Sequence, residues 1–191
     1  MSHPRVLSSI STNEFMASPA AQGRSELVRG TVRPVPASTG TQSKVSGNLT
    51  RLLAEHVERK KLGRCFDDTT QFELPNVPAT VRAPDASFVR TDRLPLGGDG
   101  GGWLSLSPDL AVEILSPHVS GAELDEKLAD YRASGTSLVW VINPERRRIS
   151  VITATGPMRW LGEEETLDGA DVVPGFSCKV SAVFEGIAGD H

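Results

Sequence analysis

The chain has 191 residues, and its formal net charge is −4. This length fits one domain, and a composition of 38% hydrophobic and 23% charged residues excludes a wholly disordered protein. No apolar run reaches the roughly 18 residues that a membrane span requires, and the N-terminus lacks the pattern of a secretory signal. We therefore expect a cytoplasmic protein with no membrane partner.

The cysteine count argues against a disulfide-rich or zinc-binding protein, and the net charge argues against a strongly basic nucleic-acid-binding protein. Cys65 and Cys178 are too few and too far apart for a disulfide framework or a zinc knuckle, so we expect two reduced thiols. The negative net charge argues against a protein that coats nucleic acid by charge alone. A locally basic face or bound metal ions would still allow DNA to bind.

The sequence of the N-terminal third predicts an arm, a β-hairpin and a long helix. Residues 1–22 are rich in Ser, Pro and Ala and indicate a loose arm with one short helix, and residues 23–191 are expected to form a single domain. Residues 26–35 form two halves that are rich in β-forming residues, on either side of Arg29 and Gly30, which is typical of a β-hairpin. From Gln42 to Lys61, apolar residues recur at helical spacing, and Gly63 is expected to end this helix.

The rest of the chain alternates strands and helices. The predicted elements are β segments at 65–72 and 81–89, a glycine-rich loop at 97–102, a helix at 123–133 and strands at 138–142 and 149–152. Residues Leu110–Leu115 are nearly all apolar and predict a central strand covered on both faces, which Pro117 ends. This order predicts an α+β fold with a mixed β-sheet flanked by helices.

Glu113 is the most informative residue, because it lies inside the apolar strand 110–115. An ionised carboxylate there costs several kcal/mol unless a cation neutralises it. A metal ion would do so. An arginine from a neighbouring strand, or an edge position facing water, would also account for it.

Two Pro-Asp pairs compete to provide a second carboxylate. Asp109 is four residues from Glu113 on the same strand, about 13 Å away, so the two cannot share one metal ion. We expect Asp109 to cap or initiate the strand. Asp85 lies far enough upstream for the chain to return on an adjacent strand, about 4.8 Å away. Asp85 and Glu113 would suit Mg²⁺, which prefers oxygen ligands.

Two further charged residues are candidates. Lys127, on the predicted helix after Glu113, could stabilise an anionic transition state, or it could simply pair with Glu123 at the helix surface. Glu26, at the start of the hairpin, could add another acid at this end of the sheet, or it could be a surface residue. The four histidines show no metal-binding spacing, and His56 is expected to pack in the core.

Several segments in order resemble the Uma-type family of restriction endonucleases, within the PD-(D/E)XK superfamily. The segments that carry the resemblance are Glu26–Gly30, Pro84–Val89, Pro108–Pro117, Glu126–Tyr131 and Leu138–Pro144. The likeness implies a restriction-endonuclease-like core and hydrolysis of phosphodiester bonds. It also implies that Asp85 and Glu113 are Mg²⁺ ligands and that Glu26 is an auxiliary metal or water ligand. Leu115 occupies the position of the superfamily lysine, and Lys127 on the following helix is expected to supply the missing ammonium group.

The resemblance has departures that leave these residues in place. Gln42 stands where relatives commonly have a histidine. Asn143 and Glu123 each stand where the family frequently has an aspartate. The sequence therefore predicts a Mg²⁺-dependent DNA endonuclease, with Mn²⁺ as a substitute and a homodimeric assembly implied by the family. The alternative is a catalytically inactive relative that acts as a dimeric interaction module for nucleic acid or protein. The net charge favours this alternative, because an acidic cluster without metal repels DNA.

Overall fold

The computed structural model describes residues 9–95, 103–116 and 119–187. The α-helices are α1 Thr12–Met16, α2 Gly40–Lys60, α3 Gly121–Ser134 and α4 Val180–Val183, and short 3₁₀ helices lie at Pro19–Gln22 and Thr91–Arg93. The strands are β1 Ser25–Val28, β2 Thr31–Pro34, β3 Gly63–Asp67, β4 Gln71–Glu73, β5 Val81–Arg82, β6 Ala86–Arg90, β7 Trp103–Leu104, β8 Leu110–Ile114, β9 Leu138–Asn143, β10 Arg148–Thr153, β11 Arg159–Leu161, β12 Thr166–Asp168 and β13 Ser177–Lys179.

A six-stranded mixed sheet forms the centre of the molecule, in the order β11-β10-β9-β8-β6-β3. Strand β8 runs parallel to β9 and antiparallel to β6, and each of its residues is buried. Helix α2 packs its apolar stripe on one face of this sheet, whereas α3 contributes to the cluster on the other face. The α+β class and the mixed sheet are therefore confirmed, as is a central strand covered on both faces.

A second, five-stranded sheet, in the order β2-β1-β5-β4-β7, was not predicted. The segments expected as single strands at 65–72 and 81–89 each divide between the two sheets: β3 and β6 join the central sheet, and β4 and β5 join the second. In the second segment the division falls at Pro84, which has no N–H to donate to a ladder. Its carboxyl-side neighbour, Asp85, therefore stands where the chain enters β6.

The described part of the N-terminal arm packs on the second sheet. Ser11 caps α1 through a capping box with Glu14, and Phe15 is fully buried against Leu27 and Val81. The prediction of a short helix is confirmed. The prediction of a loose arm is wrong for residues 9–22, because burial of one aromatic side chain outweighs the polar composition around it.

Two glycines explain local geometry. Arg29 and Gly30 both have positive φ, 46° and 78°, which matches the turn that joins β1 to β2 and confirms the predicted hairpin. Gly63 does not end α2, because Lys61 takes the left-handed cap position instead. Gly63 begins β3, where an added Cβ would meet the Val89 carbonyl oxygen at 2.0 Å. Only glycine permits this close strand pairing.

Two sequence features lie outside the described residues, namely the glycine-rich loop at 97–102 and Pro117 after β8. Among the helices that the structure describes, none combines the length and apolar character needed to cross a bilayer.

Candidate active site

Glu113 is held by two donors from a single helix. It lies near the end of β8 and is only 6% exposed. Lys127 Nζ donates to Glu113 Oε2 at 2.8 Å, and the Tyr131 hydroxyl donates to Glu113 Oε1 at 2.6 Å. Because Lys127 and Tyr131 are one turn apart on α3, one helix face satisfies both oxygens of the buried carboxylate.

Asp85 lies just before the adjacent strand β6, beside the segment of β8 that carries Glu113. Its backbone N–H donates to the Val112 carbonyl oxygen at 2.9 Å, and its Oδ2 accepts the Ile114 N–H at 2.6 Å, so its contacts span Glu113 on both sides. Burial, followed by repulsion from the Glu113 carboxylate, raises the pKa of Asp85 from its ordinary 3.8 to about 7. Two acids are thus held close together where repulsion between them is weakly screened.

Lys127 connects Glu113 to Glu26. Its Nζ lies 2.8 Å from Glu113 Oε2 and 3.2 Å from Glu26 Oε1, and its side chain is 17% exposed. Burial alone would lower the pKa of Lys127, but the charges of Glu113 and Glu26 outweigh burial and raise it. Lys127 therefore remains an ammonium ion at neutral pH. The alternative of a surface pair with Glu123 is wrong, because Glu123 instead completes a capping box with Ser120 at the start of α3.

Glu26 is fixed by donors of its own. Arg82 donates to its Oε2 at 2.8 Å, and the Ala83 N–H donates to its Oε1 at 3.1 Å. Burial opposes its ionisation, but the charges of Lys127 and Arg82 prevail and lower the pKa of Glu26. Arg82 in turn binds Asp130, one turn beyond Glu126 on α3, with its Nε at 3.0 Å from Oδ2. A buried ionic frame thus joins the hairpin, β5 and α3.

A cavity of about 330 Å³ opens over the two acids. Asp85, Glu113, Lys127 and Gln42 line it together with segments 21–25 and 35–38 and with residues 68, 69 and 71. Glu26 lies outside this lining, although its neighbour Lys127 is part of it. The cavity therefore reaches Asp85, Glu113 and Lys127, and its lining also includes the ion pair of Arg24 with Asp68 at 2.7 Å.

Gln42 plays a structural part in this cavity. Its Nε2 donates to the Ile114 carbonyl oxygen at 3.0 Å, and its Oε1 accepts the Thr39 N–H at 2.9 Å. Gln42 therefore connects the start of α2 to the end of the strand that carries Glu113.

The structure thus brings the four predicted residues to one region: Lys127 pairs with both Glu113 and Glu26, and Asp85 lines the same cavity as Glu113 and Lys127. Sequence reasoning missed Tyr131, Arg82 and Asp130. The spacing of Tyr131, four residues after Lys127, was a usable signal for the first. A charged residue in an otherwise apolar β segment was a signal for Arg82, and no comparable signal marked Asp130.

Other candidates have structural partners. Asp109 accepts from Arg93 and from the Arg90 N–H, and His56 contacts the Pro174 carbonyl oxygen at 3.0 Å and packs edge-on against Phe176. Both cysteines are free. Burial, with a smaller contribution from Glu58, raises the pKa of Cys65 to about 12, and burial raises that of Cys178 to about 11. Neither thiol is activated as a nucleophile.

Comparison with known protein families assigns the chain. The model of a family described as "Putative restriction endonuclease" matches residues 12–181, nearly the whole chain. The chain belongs to this family, Uma2. The resemblance inferred from the ordered motifs is therefore confirmed, and the restriction-endonuclease-like fold with it.

A solved structure supports the fold of this Uma2 protein. It is described as a putative nuclease belonging to DUF820 from Anabaena variabilis ATCC 29413, and it is similar with a TM-score of 0.79 and 19% sequence identity. The match covers 92% of this chain and 97% of that one. No curated protein matches the sequence.

Proposed function

We propose that this protein is a divalent-metal-dependent endonuclease that hydrolyses phosphodiester bonds in DNA. The observation that carries the proposal is the pair formed by Asp85 and Glu113, which line one cavity with Lys127 against Glu113. Membership in a family described as restriction endonucleases supports the reaction class. The acidic pair supports the metal dependence, because a bound cation would offset the repulsion between these acids and the DNA phosphates.

The two acids fit a hard divalent cation. Mg²⁺ commonly binds through one or two carboxylates and completes its shell with water and phosphate oxygens. Among the described residues, no cluster of three or more His, Cys, Asp or Glu side chains could hold a metal. The proposed site therefore has two protein ligands, Asp85 and Glu113, and leaves the remaining positions to water and phosphate. The raised pKa of Asp85 fits as well, because a bound cation would offset both the burial and the Glu113 repulsion that raise it. Mn²⁺ would substitute, since it also accepts carboxylate ligands.

The chain's own residues then have distinct roles. Asp85 and Glu113 would hold the metal from the cavity wall. Lys127 offsets negative charge that develops on the phosphate or orients the attacking water, because its ammonium group is fixed by two acids and lies on the cavity wall. When bound, the metal supplies Lewis-acid polarisation and a more acidic water.

Glu26 is proposed to act through Lys127. Both of its oxygens already accept hydrogen bonds or ion pairs from Arg82, Ala83 and Lys127. Unlike Glu113, Glu26 also lies outside the cavity lining, so it is better suited to positioning the ammonium group than to binding metal. The role implied by the resemblance, an auxiliary metal or water ligand, is thus replaced by a positioning role in this proposal.

We also propose a homodimer, on the basis of the family. Light scattering of the purified protein tests this directly. A mass near 41 kDa is expected, twice the 20.4 kDa chain, and a monomer at micromolar concentration would refute it.

The second candidate is a catalytically inactive interaction module. The net charge of −4 favours it, as does the fact that protein donors already satisfy both Glu113 oxygens. This candidate predicts nucleic-acid or protein binding that is indifferent to divalent ions. The endonuclease predicts that ions are required for turnover.

Cleavage assays separate the two. Supercoiled plasmid, linear duplex and single-stranded DNA are incubated with the wild type, D85N and E113Q, each with Mg²⁺, Mn²⁺ or EDTA. We expect cleavage by the wild type only with a divalent ion and loss of cleavage in both variants. The exposed acid of α3 provides the matched control, D125N, which should cleave like the wild type. Cleavage that survives in D85N and E113Q would reject the proposal.

A further inference from the structure

The hydroxyl of Tyr131 is a buried polar group that the proposed chemistry leaves without a role. Tyr131 is fully buried on α3, and it is the single tyrosine of the chain. Its hydroxyl donates to Glu113 Oε1 at 2.6 Å. Burial, followed by the charge of Glu113, raises the pKa of this phenol well above 10, so the group remains a donor at neutral pH.

The two oxygens of the Glu113 carboxylate accept from different donors, one from an ammonium group and the other from a phenol hydroxyl. Lys127 contacts Oε2 and lines the cavity, whereas Tyr131 contacts Oε1 from within the apolar cluster beneath it. A carboxylate held at both oxygens cannot rotate about its terminal torsion. Its remaining lone pairs therefore keep a fixed direction relative to Asp85.

We propose that Tyr131 is a positioning residue that orients Glu113 for a divalent cation through this hydrogen bond. The inference rests on the proposed metal site. Donors behind a metal-binding carboxylate or imidazole fix its direction and basicity, and their loss typically weakens metal binding about 10–100-fold. The aromatic ring of Tyr131 fills the core and accounts for its burial, but packing alone does not require a hydroxyl aimed at an acid.

The uniqueness of the tyrosine permits a direct spectroscopic test. Protein labelled with [¹³Cζ]tyrosine gives one resonance, and its shift reports the strength of the hydroxyl hydrogen bond. Coordination draws charge from Glu113 and weakens this bond, so we expect the resonance to move as Mg²⁺ is added, in step with binding measured by calorimetry. In labelled D85N at the same Mg²⁺ concentrations, the resonance should stay in place. In D125N it should move as in the wild type.

The variant Y131F separates positioning from packing, because it keeps the ring and removes the donor. We expect its Mn²⁺ affinity to fall about 10-fold by calorimetry, while thermal melting in EDTA shows that it is folded. An L128A variant, which trims a partly buried neighbour on the same helix, controls for general loosening and should bind Mn²⁺ like the wild type.

The outcomes distinguish this inference from the proposed function. If the wild type binds Mg²⁺ but the tyrosine resonance stays still and Y131F binds Mn²⁺ as tightly as the wild type, the positioning role is overturned and the metal site stands. Equal losses of affinity in Y131F and L128A would reduce Tyr131 to a packing residue and also overturn it. If the wild type binds no divalent ion, both proposals fail.

Discussion

The two ends of β8 carry acids that are buried alike and serve differently. Asp109, just before the strand, is 5% exposed, and Glu113, near its end, is 6% exposed. Asp109 accepts from Arg93 at 2.8 Å and from the Arg90 N–H at 2.9 Å. Glu113 instead lies beside a second acid, Asp85, whose pKa burial and this neighbour raise to about 7.

This difference separates a structural acid from a candidate ligand. An acid matched by an arginine has its charge compensated within the protein. Asp85 and Glu113 have only Lys127 beside them on the cavity wall, and Lys127 also pairs with Glu26, so ionisation of Asp85 leaves a negative charge that a cation in the cavity can offset. Burial of a carboxylate is therefore a weak functional signal, whereas uncompensated like charge beside a cavity is a strong one.

The largest expected effect is on the rate of DNA cleavage, and it comes from a change at the Glu113 end of β8. E113Q should reduce Mg²⁺-dependent cleavage about 10³-fold, equivalent to about 4 kcal/mol, because the amide cannot replace a charged ligand. Its carbonyl oxygen can still accept from Tyr131, so the fold should persist. Plasmid nicking rates measure this. Nicking by E113Q at the wild-type rate would remove Glu113 from the site.

The next effect concerns the cation at the Glu113 end. K127M should slow cleavage about 10²-fold, the range for loss of one charge-stabilising group. It should also lower the melting temperature in EDTA, because Glu113 and Glu26 lose their shared ammonium. Added Mg²⁺ should then raise the melting temperature more than in the wild type. The exposed K60M serves as control, and an unchanged melting temperature in EDTA would contradict the buried pairing.

A smaller effect is expected at the other end of the strand. D109N should destabilise the protein by about 1–3 kcal/mol, because it breaks the ion pair with Arg93 and weakens a buried acceptor. Urea unfolding measures this free energy. Cleavage and metal affinity should remain within a few-fold of the wild type. A selective loss of metal affinity in D109N would mean that the two ends of β8 are not functionally distinct.

The smallest effect is a dependence on pH. In EDTA, Asp85 of the folded protein keeps its proton up to about pH 7. In the unfolded chain, Asp85 loses its proton near its ordinary pKa of 3.8. Wild-type stability relative to D85N should therefore fall between about pH 4 and pH 7 and level off above. The loss should be about 1–2 kcal/mol after allowance for solvent relaxation. Urea titrations across this range measure it, and parallel profiles for the two proteins would contradict the raised pKa.

The sequence revealed the centre of the site better than its surroundings. Glu113 stood out because a charge interrupts an apolar run, and Asp85 because the intervening chain permits an adjacent strand. The second sheet was missed because β5 and β7 have two residues each, too few to show a period-2 pattern. The role of Tyr131 was missed because helical spacing can place its ring but does not report the direction of its hydroxyl.

The packing of the N-terminal arm and the buried ionic frame were not predicted, and the physical reason is the same for both. Phe15 and Arg82 acquire their partners only through contacts between segments far apart in sequence, Phe15 with Val81 and Arg82 with Asp130. Local composition describes neither contact.

Calorimetric titration of Mn²⁺ at pH 8 tests the central claim most directly. The account predicts that the wild type binds one ion per chain and that D85N and E113Q each bind it at least about 10-fold more weakly, with D109N unchanged. Binding of equal strength in the wild type, D85N and E113Q would contradict a shared site at these two acids.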